Sequence, residues 1–88
     1  MNNTSILPEL CKRLEERRQA DPATSYVARL YAQGLDRILE KVGEEAIETV
    51  LAAKNGQTEA IVHETADLWF HTLVMLTHLG IDAEAVLE

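Results

Sequence analysis

Glycine, proline and cysteine are scarce in this 88-residue chain, at four, two and one copies. A single cysteine excludes an intrachain disulfide, and no Cys-x-x-Cys spacing exists to build a zinc finger. Long hydrophobic runs are missing as well. The most apolar stretch, Leu68 to Leu79, is interrupted by His71 and His78 and falls well short of the ~20 residues a membrane helix needs. Positive charge is also in short supply: 8 Lys and Arg against 15 Asp and Glu leave a net charge of −7. A nucleic-acid binder requires a basic face, so that class is excluded. An anionic small molecule is still admissible if a cation bridges it to the acids. The first thirteen residues lack the charged-then-apolar pattern of a secretory leader, and the expectation is a cytoplasmic, reducing compartment that suits a free Cys11.

What the chain does have is a helical vocabulary rich in Ala, Leu and Glu. Four breaks divide it: Asp21-Pro22, Gly34, Asn55-Gly56 and Gly80. Apolar residues at spacings of three and four from Ser5 onward predict a first helix through Ile6, Leu7, Leu10, Cys11 and Leu14, with Pro8 harmless in its first turn. A short second helix is expected from Ser25 to Ala32. A long third runs from Leu35 to Lys54, with Asn55-Gly56 as its C-cap. A long fourth opens at Thr58 as N-cap and closes at Gly80, and Asp82 caps a fifth piece. The chain therefore reads as one all-α domain over residues 1–88, a helical bundle built on two long antiparallel helices. Such a short chain cannot cover all its apolar surface, so a homodimer or homotetramer is expected.

Helical-wheel arithmetic at ~100° per residue separates the faces of the two long helices. On the third, Leu35, Ile38, Leu39, Val42, Ala46, Val50 and Ala53 form one apolar stripe, and Ile47 and Leu51 begin a second on nearly the opposite side. Lys41, Glu44, Glu45 and Glu48 fill the arc between them. The fourth helix is apolar in almost every direction, yet Glu64, Asp67, His71 and His78 align on one side of it. Burying unpaired carboxylates costs several kcal/mol, and neither Lys nor Arg occurs between Asn55 and Glu88. A divalent cation meets the need. Glu45 with Glu48, and Glu64 with Asp67, each place two carboxylates one turn apart, and antiparallel packing brings the pairs face to face. A di-iron bundle requires Glu-x-x-His pairs, which this sequence lacks. Oxygen donors without imidazole suit Mg²⁺, with Mn²⁺ possible, the metals of phosphate chemistry.

Blander readings stand beside this one. Glu44, Glu45 and Glu48 also fit a solvated helix face, Tyr26 a half-buried core ring, and Lys41 an i, i+4 partner of Glu45. His71 and His78 also fit a core with hydrogen-bonded histidines, and Trp69 and Phe70 fit core or interface anchors.

Val42-Gly43-Glu44-Glu45-Ala46-Ile47-Glu48, followed by Glu64-Thr65-Ala66-Asp67-Leu68, resembles the EExxE and ExxD signature of the all-α, MazG-like nucleoside triphosphate pyrophosphatases. The longer run from Ser25 to Leu87, including KVGEEA, AAKNG and HETADLWFH, is similar to the phosphoribosyl-ATP pyrophosphatases of histidine biosynthesis. This resemblance implies hydrolysis of N1-(5-phosphoribosyl)-ATP to N1-(5-phosphoribosyl)-AMP and pyrophosphate with Mg²⁺. It implies Glu45, Glu48, Glu64 and Asp67 as metal ligands, and Glu44, Glu45 and Glu48 as the catalytic acids of the motif. Glu44 points farther from the centre of the pair and is a base candidate or a residue behind the ligands. Ser25, Tyr26 and Lys41 match positions near the substrate's phosphates or ribose. The chain departs from the family pattern at Glu40, where a second lysine is common. Two other functions compete: a house-cleaning hydrolase of non-canonical nucleotides on the same fold, and a helical interaction module without activity.

Overall fold

The structure is a computed structural model and describes residues 6–88. Ser5, at the start of the first apolar repeat, lies outside them, as does the beginning of the stretch read for a leader. Four α-helices follow in order: α1 (Ile6–Glu16), α2 (Tyr26–Gln33), α3 (Leu35–Asn55) and α4 (Thr58–His78). Short 3₁₀ turns at Arg17–Gln19 and Ala83–Leu87 complete the chain, and no strand occurs among the described residues. The fold is all-α, as the composition implies.

Local chemistry sets each boundary. Asp21 shapes the turn before α2: its Oδ1 accepts from Ala23 N at 2.9 Å and its carbonyl from Ser25 N at 3.0 Å. Ser25 then caps α2, its Oγ accepting from Ala28 N at 3.2 Å. Gly56 ends α3 in the left-handed region at φ 73°, where a side chain would be strained. Only Gly56 and Gln57 separate α3 from α4, so the two long helices return on each other as a hairpin. Gln57, not Thr58, occupies the N-cap of α4, without a side-chain bond, and Thr58 is the first helical residue. The far end of α4 is a Schellman closure: Ile81 N donates to Leu76 O at 2.9 Å and Gly80 N to Thr77 O at 3.1 Å. Asp82 Oδ1 accepts from Glu84 N at 2.9 Å and starts the last 3₁₀ turn.

The core sits at one end of the hairpin. Leu14 of α1, Leu30 of α2, Ile38 of α3 and Val74 of α4 form it, with Leu10, Val27, Tyr31, Phe70, Leu73 and Met75 packed around them. Tyr31 binds this end together: its hydroxyl donates to Leu14 O at 3.0 Å, its ring stacks on His78, and the Arg18 guanidinium lies over it. Arg18 also donates to Thr77 O at 3.0 Å, near the negative end of α4. Cys11 is half-buried here, and burial, with the charges of Asp82 and Glu84, pushes its thiol pKa up. A raised thiol pKa disfavours the thiolate that a nucleophile needs.

The helix-wheel stripe on α3 coincides only in part with the buried face of that helix. Of its members only Ile38 is buried, while Leu39 and Val50 are exposed. The buried and half-buried positions of α3 are Leu35, Arg37, Ile38, Lys41, Val42, Glu45, Ala46, Thr49 and Ala52. Leu35, Ile38, Val42 and Ala46 of the stripe turn inward together with Glu45, while Leu39, Val50 and Ala53 stay outside. The radius of gyration, 13.8 Å, exceeds the ~12 Å expected of a compact chain this size.

Candidate active site

Midway along the hairpin, α3 and α4 bring their acids together. Carboxylate oxygens of Glu45, Glu48 and Glu64 lie within 4.8 Å of one another. A second group, His63 with Glu64 and Asp67, meets the same limit and shares Glu64. The four sequence-predicted acids therefore form two adjoining clusters joined by one glutamate. His63 was absent from the sequence-derived site, although its spacing of four from Asp67 is the signal that could have found it. Its Nε2 lies 3.4 Å from Asp67 Oδ2.

Glu45 is 5% exposed. Its Oε1 lies 3.5 Å from Lys41 Nζ, but its Oε2 is buried with no hydrogen-bond partner. Glu64 Oε2 is in the same condition on the facing helix. An unsatisfied buried polar atom costs roughly 1–3 kcal/mol, and more when it is charged. Thr49 sits across the α3–α4 seam, its single hydroxyl proton shared between the backbone carbonyls of the two acids, Glu45 O at 2.7 Å and Glu64 O at 3.2 Å. A side-chain hydroxyl held to the facing helix's backbone helps set the height of one helix against the other. Sequence reading missed Thr49 because a threonine in a helix has no distinctive spacing.

Lys41 is the cation of the site. Its Nζ donates to Glu44 Oε2 at 3.3 Å as well as approaching Glu45. Burial pulls its pKa down, but the hydrogen bond to Glu44 and the fields of Tyr26, Glu44 and Glu45 outweigh that, and the net direction is up. Glu44 is exposed and outside both acid clusters, held to Lys41. Glu40, the departure from the family pattern, is turned to Arg37 at 2.9 Å and points its charge away from this group. Ser25 is buried and committed to capping α2, while Tyr26, the first residue of α2, is 41% exposed. Its hydroxyl lies 2.7 Å from His71 Nε2, and His71 Nδ1 lies 2.8 Å from Asp67 O. Both nitrogens of the buried His71 are thus satisfied, whereas His78 keeps a buried Nδ1 without a partner. No helix among the described residues is long and apolar enough to cross a membrane.

Oxygen-rich acids on two facing helices, with a lysine beside them, are equipped for phosphate chemistry. The sequence model of the phosphoribosyl-ATP pyrophosphohydrolases matches residues 7–88, nearly the whole chain. The chain belongs to this family. A phosphoribosyl-ATP pyrophosphohydrolase is a hydrolase of histidine biosynthesis, and the matched span contains all the acids, Lys41 and the Tyr26–His71 pair.

Proposed function

We propose that this chain cleaves N1-(5-phosphoribosyl)-ATP to N1-(5-phosphoribosyl)-AMP and pyrophosphate with Mg²⁺, in the cytoplasm, as one domain over residues 1–88 working in a homodimer or homotetramer. The observation that carries the metal reading is the pair of buried, unpartnered oxygens, Glu45 Oε2 and Glu64 Oε2, on opposite helices. Two orphaned anionic oxygens at one height fit a hard cation, and Glu45, Glu48, Glu64 and Asp67 would hold it. When bound, Mg²⁺ supplies neutralisation of the triphosphate and a more acidic water; Mn²⁺ can serve in its place.

The chain's own residues do the rest. Lys41, protonated throughout the neutral range, meets an anionic phosphate at the edge of the acid group. Glu44, exposed beside Lys41 and outside both acid clusters, is the carboxylate left over to take the proton of an attacking water, and Glu48 is the motif's other exposed acid. Ser25 keeps its hydroxyl proton available while its oxygen caps α2, and Tyr26 stands beside it facing solvent. The oligomer rests on apolar surface that one chain leaves bare: Ile47, Val50, Leu51, Val62 and Trp69 are each more than half exposed. Fully covering such a side chain stabilises by roughly 1.5–3 kcal/mol.

A pyrophosphate-release assay over a substrate panel, with and without Mg²⁺, tests this. Phosphoribosyl-ATP should be turned over only with metal, and dUTP and dCTP far more slowly. Preference for dUTP or dCTP would assign the chain to nucleotide house-cleaning. No release from any of them would leave a helical interaction module.

A further inference from the structure

Tyr26 and His71 form a pair whose hydrogen-bond polarity is fixed by what lies behind it. The oxygen of Asp67 that meets His71 Nδ1 at 2.8 Å is a backbone carbonyl, which can only accept. His71 Nδ1 therefore carries the proton. In the neutral ring the opposite nitrogen, Nε2, is an acceptor, so at 2.7 Å the Tyr26 hydroxyl must donate to it. His71 is 5% exposed, wedged edge-on against both Tyr26 and Phe70, and has no room to reverse this. Tyr26 has only one hydroxyl proton, and it is committed.

What the Tyr26 hydroxyl has left to offer a ligand is thus a lone pair. A phosphate oxygen offers no proton and gains nothing from it, whereas a sugar hydroxyl can donate to it. The neighbouring cations are of the opposite kind: Lys41 and Arg29 are donors only. Arg29 lies 5.8 Å over the Tyr26 ring and Lys41 turns its ammonium to Glu44 and Glu45. Phosphate recognition falls to such donors, and hydroxyl recognition falls to Tyr26.

We propose that His71 is a positioning residue that holds the Tyr26 hydroxyl as an acceptor, so that Tyr26 reads a ribose hydroxyl of the substrate and not a phosphate. This rests on the reading of the acid group as the substrate's site, because the same His71 ties Tyr26 to the backbone of Asp67. It assigns Tyr26 one of the two roles that the family resemblance leaves open, near phosphates or ribose, and it gives a part to His71, the last residue of HETADLWFH.

The experiment compares kcat/KM for phosphoribosyl-ATP with analogues lacking one ribose hydroxyl at a time. The full-length protein is used as wild type, Tyr26→Phe, His71→Leu and His71→Gln. Wild type should prefer the intact substrate over one analogue by about tenfold, the scale of one lost hydrogen bond in a site built for it. Tyr26→Phe should collapse that ratio toward one, chiefly through KM. His71→Leu should do the same, and His71→Gln, whose side-chain carbonyl can accept from Tyr26, should restore it. An equal loss on every substrate with Tyr26→Phe overturns the proposal, as does a wild type indifferent to all the hydroxyls. If His71→Leu does not fold, Tyr26→Phe and His71→Gln alone decide. Direct Mn²⁺ titration of Asp67→Asn keeps the underlying reading separate: undiminished binding there removes the metal site, whatever the hydroxyl ratios show.

Discussion

At one end of the α3–α4 hairpin, Ile38 and Val74 are fully enclosed, capped by Leu14 from α1 and Leu30 from α2. Toward the Gly56 turn the same two helices carry Ile47, Val50, Leu51 and Val62 into solvent, each at 57–64% exposure. Residue types are alike at the two ends; only the number of neighbours differs. Two short helices are enough to cover half of a hairpin made of two 21-residue helices and no more. The acid group lies between the closed end and the open arm, where one side is held rigidly by Thr49 and the Tyr26–His71 pair and the other faces outward. An acid group at such a boundary has one side held by neighbouring elements and the other open to solvent.

The largest expected effect separates the two ends directly. Ile38→Ala should destabilise by roughly 2–5 kcal/mol, because its cavity cannot be refilled. Leu51→Ala should cost under about 1 kcal/mol if the arm is bare. If a second copy covers the arm, the Leu51→Ala loss rises toward that of Ile38→Ala and varies with protein concentration. Urea denaturation at two concentrations a hundredfold apart distinguishes these outcomes.

Next comes the boundary itself. Mg²⁺ at a hundredfold excess over its Kd should stabilise the fold by about 2.7 kcal/mol, read as a rise in Tm of roughly 10–20 °C for a domain this size. Asp67→Asn should raise the metal-free Tm by relieving repulsion among the acids and shrink the Mg²⁺ response. If neither changes, the acids do not converge on a cation.

A smaller test lies on the exposed face of α3, beside the acid group. A Cβ built on Gly43 meets no atom within 4 Å, so Gly43→Ala should stabilise an isolated chain by about 0.5–1 kcal/mol through helix propensity. A loss of stability together with a weaker oligomer would show that another helix approaches there. Smallest is the effect of Lys41. Its pKa is raised above 10.5 in the fold, so its contribution is fully present below the unfolded value and fades only as pH passes above the folded one. The Tm difference between wild type and Lys41→Met should be flat from pH 6 to 9 and shrink near pH 11. A change near pH 7 would contradict the assigned pairing.

The legibility of these features followed their range along the chain. Ser25, Gly56, Gly80 and Asp82 act within a few residues of themselves, and each helix end they set was readable beforehand. Thr58 was misplaced by one position because Gln57 caps α4 without a side-chain bond that a sequence pattern would betray. The EExxE and ExxD acids were legible because a helical period puts them on one side. Thr49, His63 and the polarity of Tyr26 were not, since each depends on which atom of another segment lies opposite.

Composition, periodicity and caps by themselves determined an all-α chain, two long helices in a hairpin, and carboxylate pairs one turn apart, because all of these follow from i, i+3 and i, i+4 geometry within single helices. Tertiary structure alone decided that α3 meets α4 through Ile38, Glu45, Thr49 and Ala52, leaving Leu39 and Val50 outside. It also decided that Glu45 and Glu64 lose their water without gaining partners for both oxygens. Rotation of one helix about its axis changes none of its local bonds, so only packing against the neighbouring helix can select it.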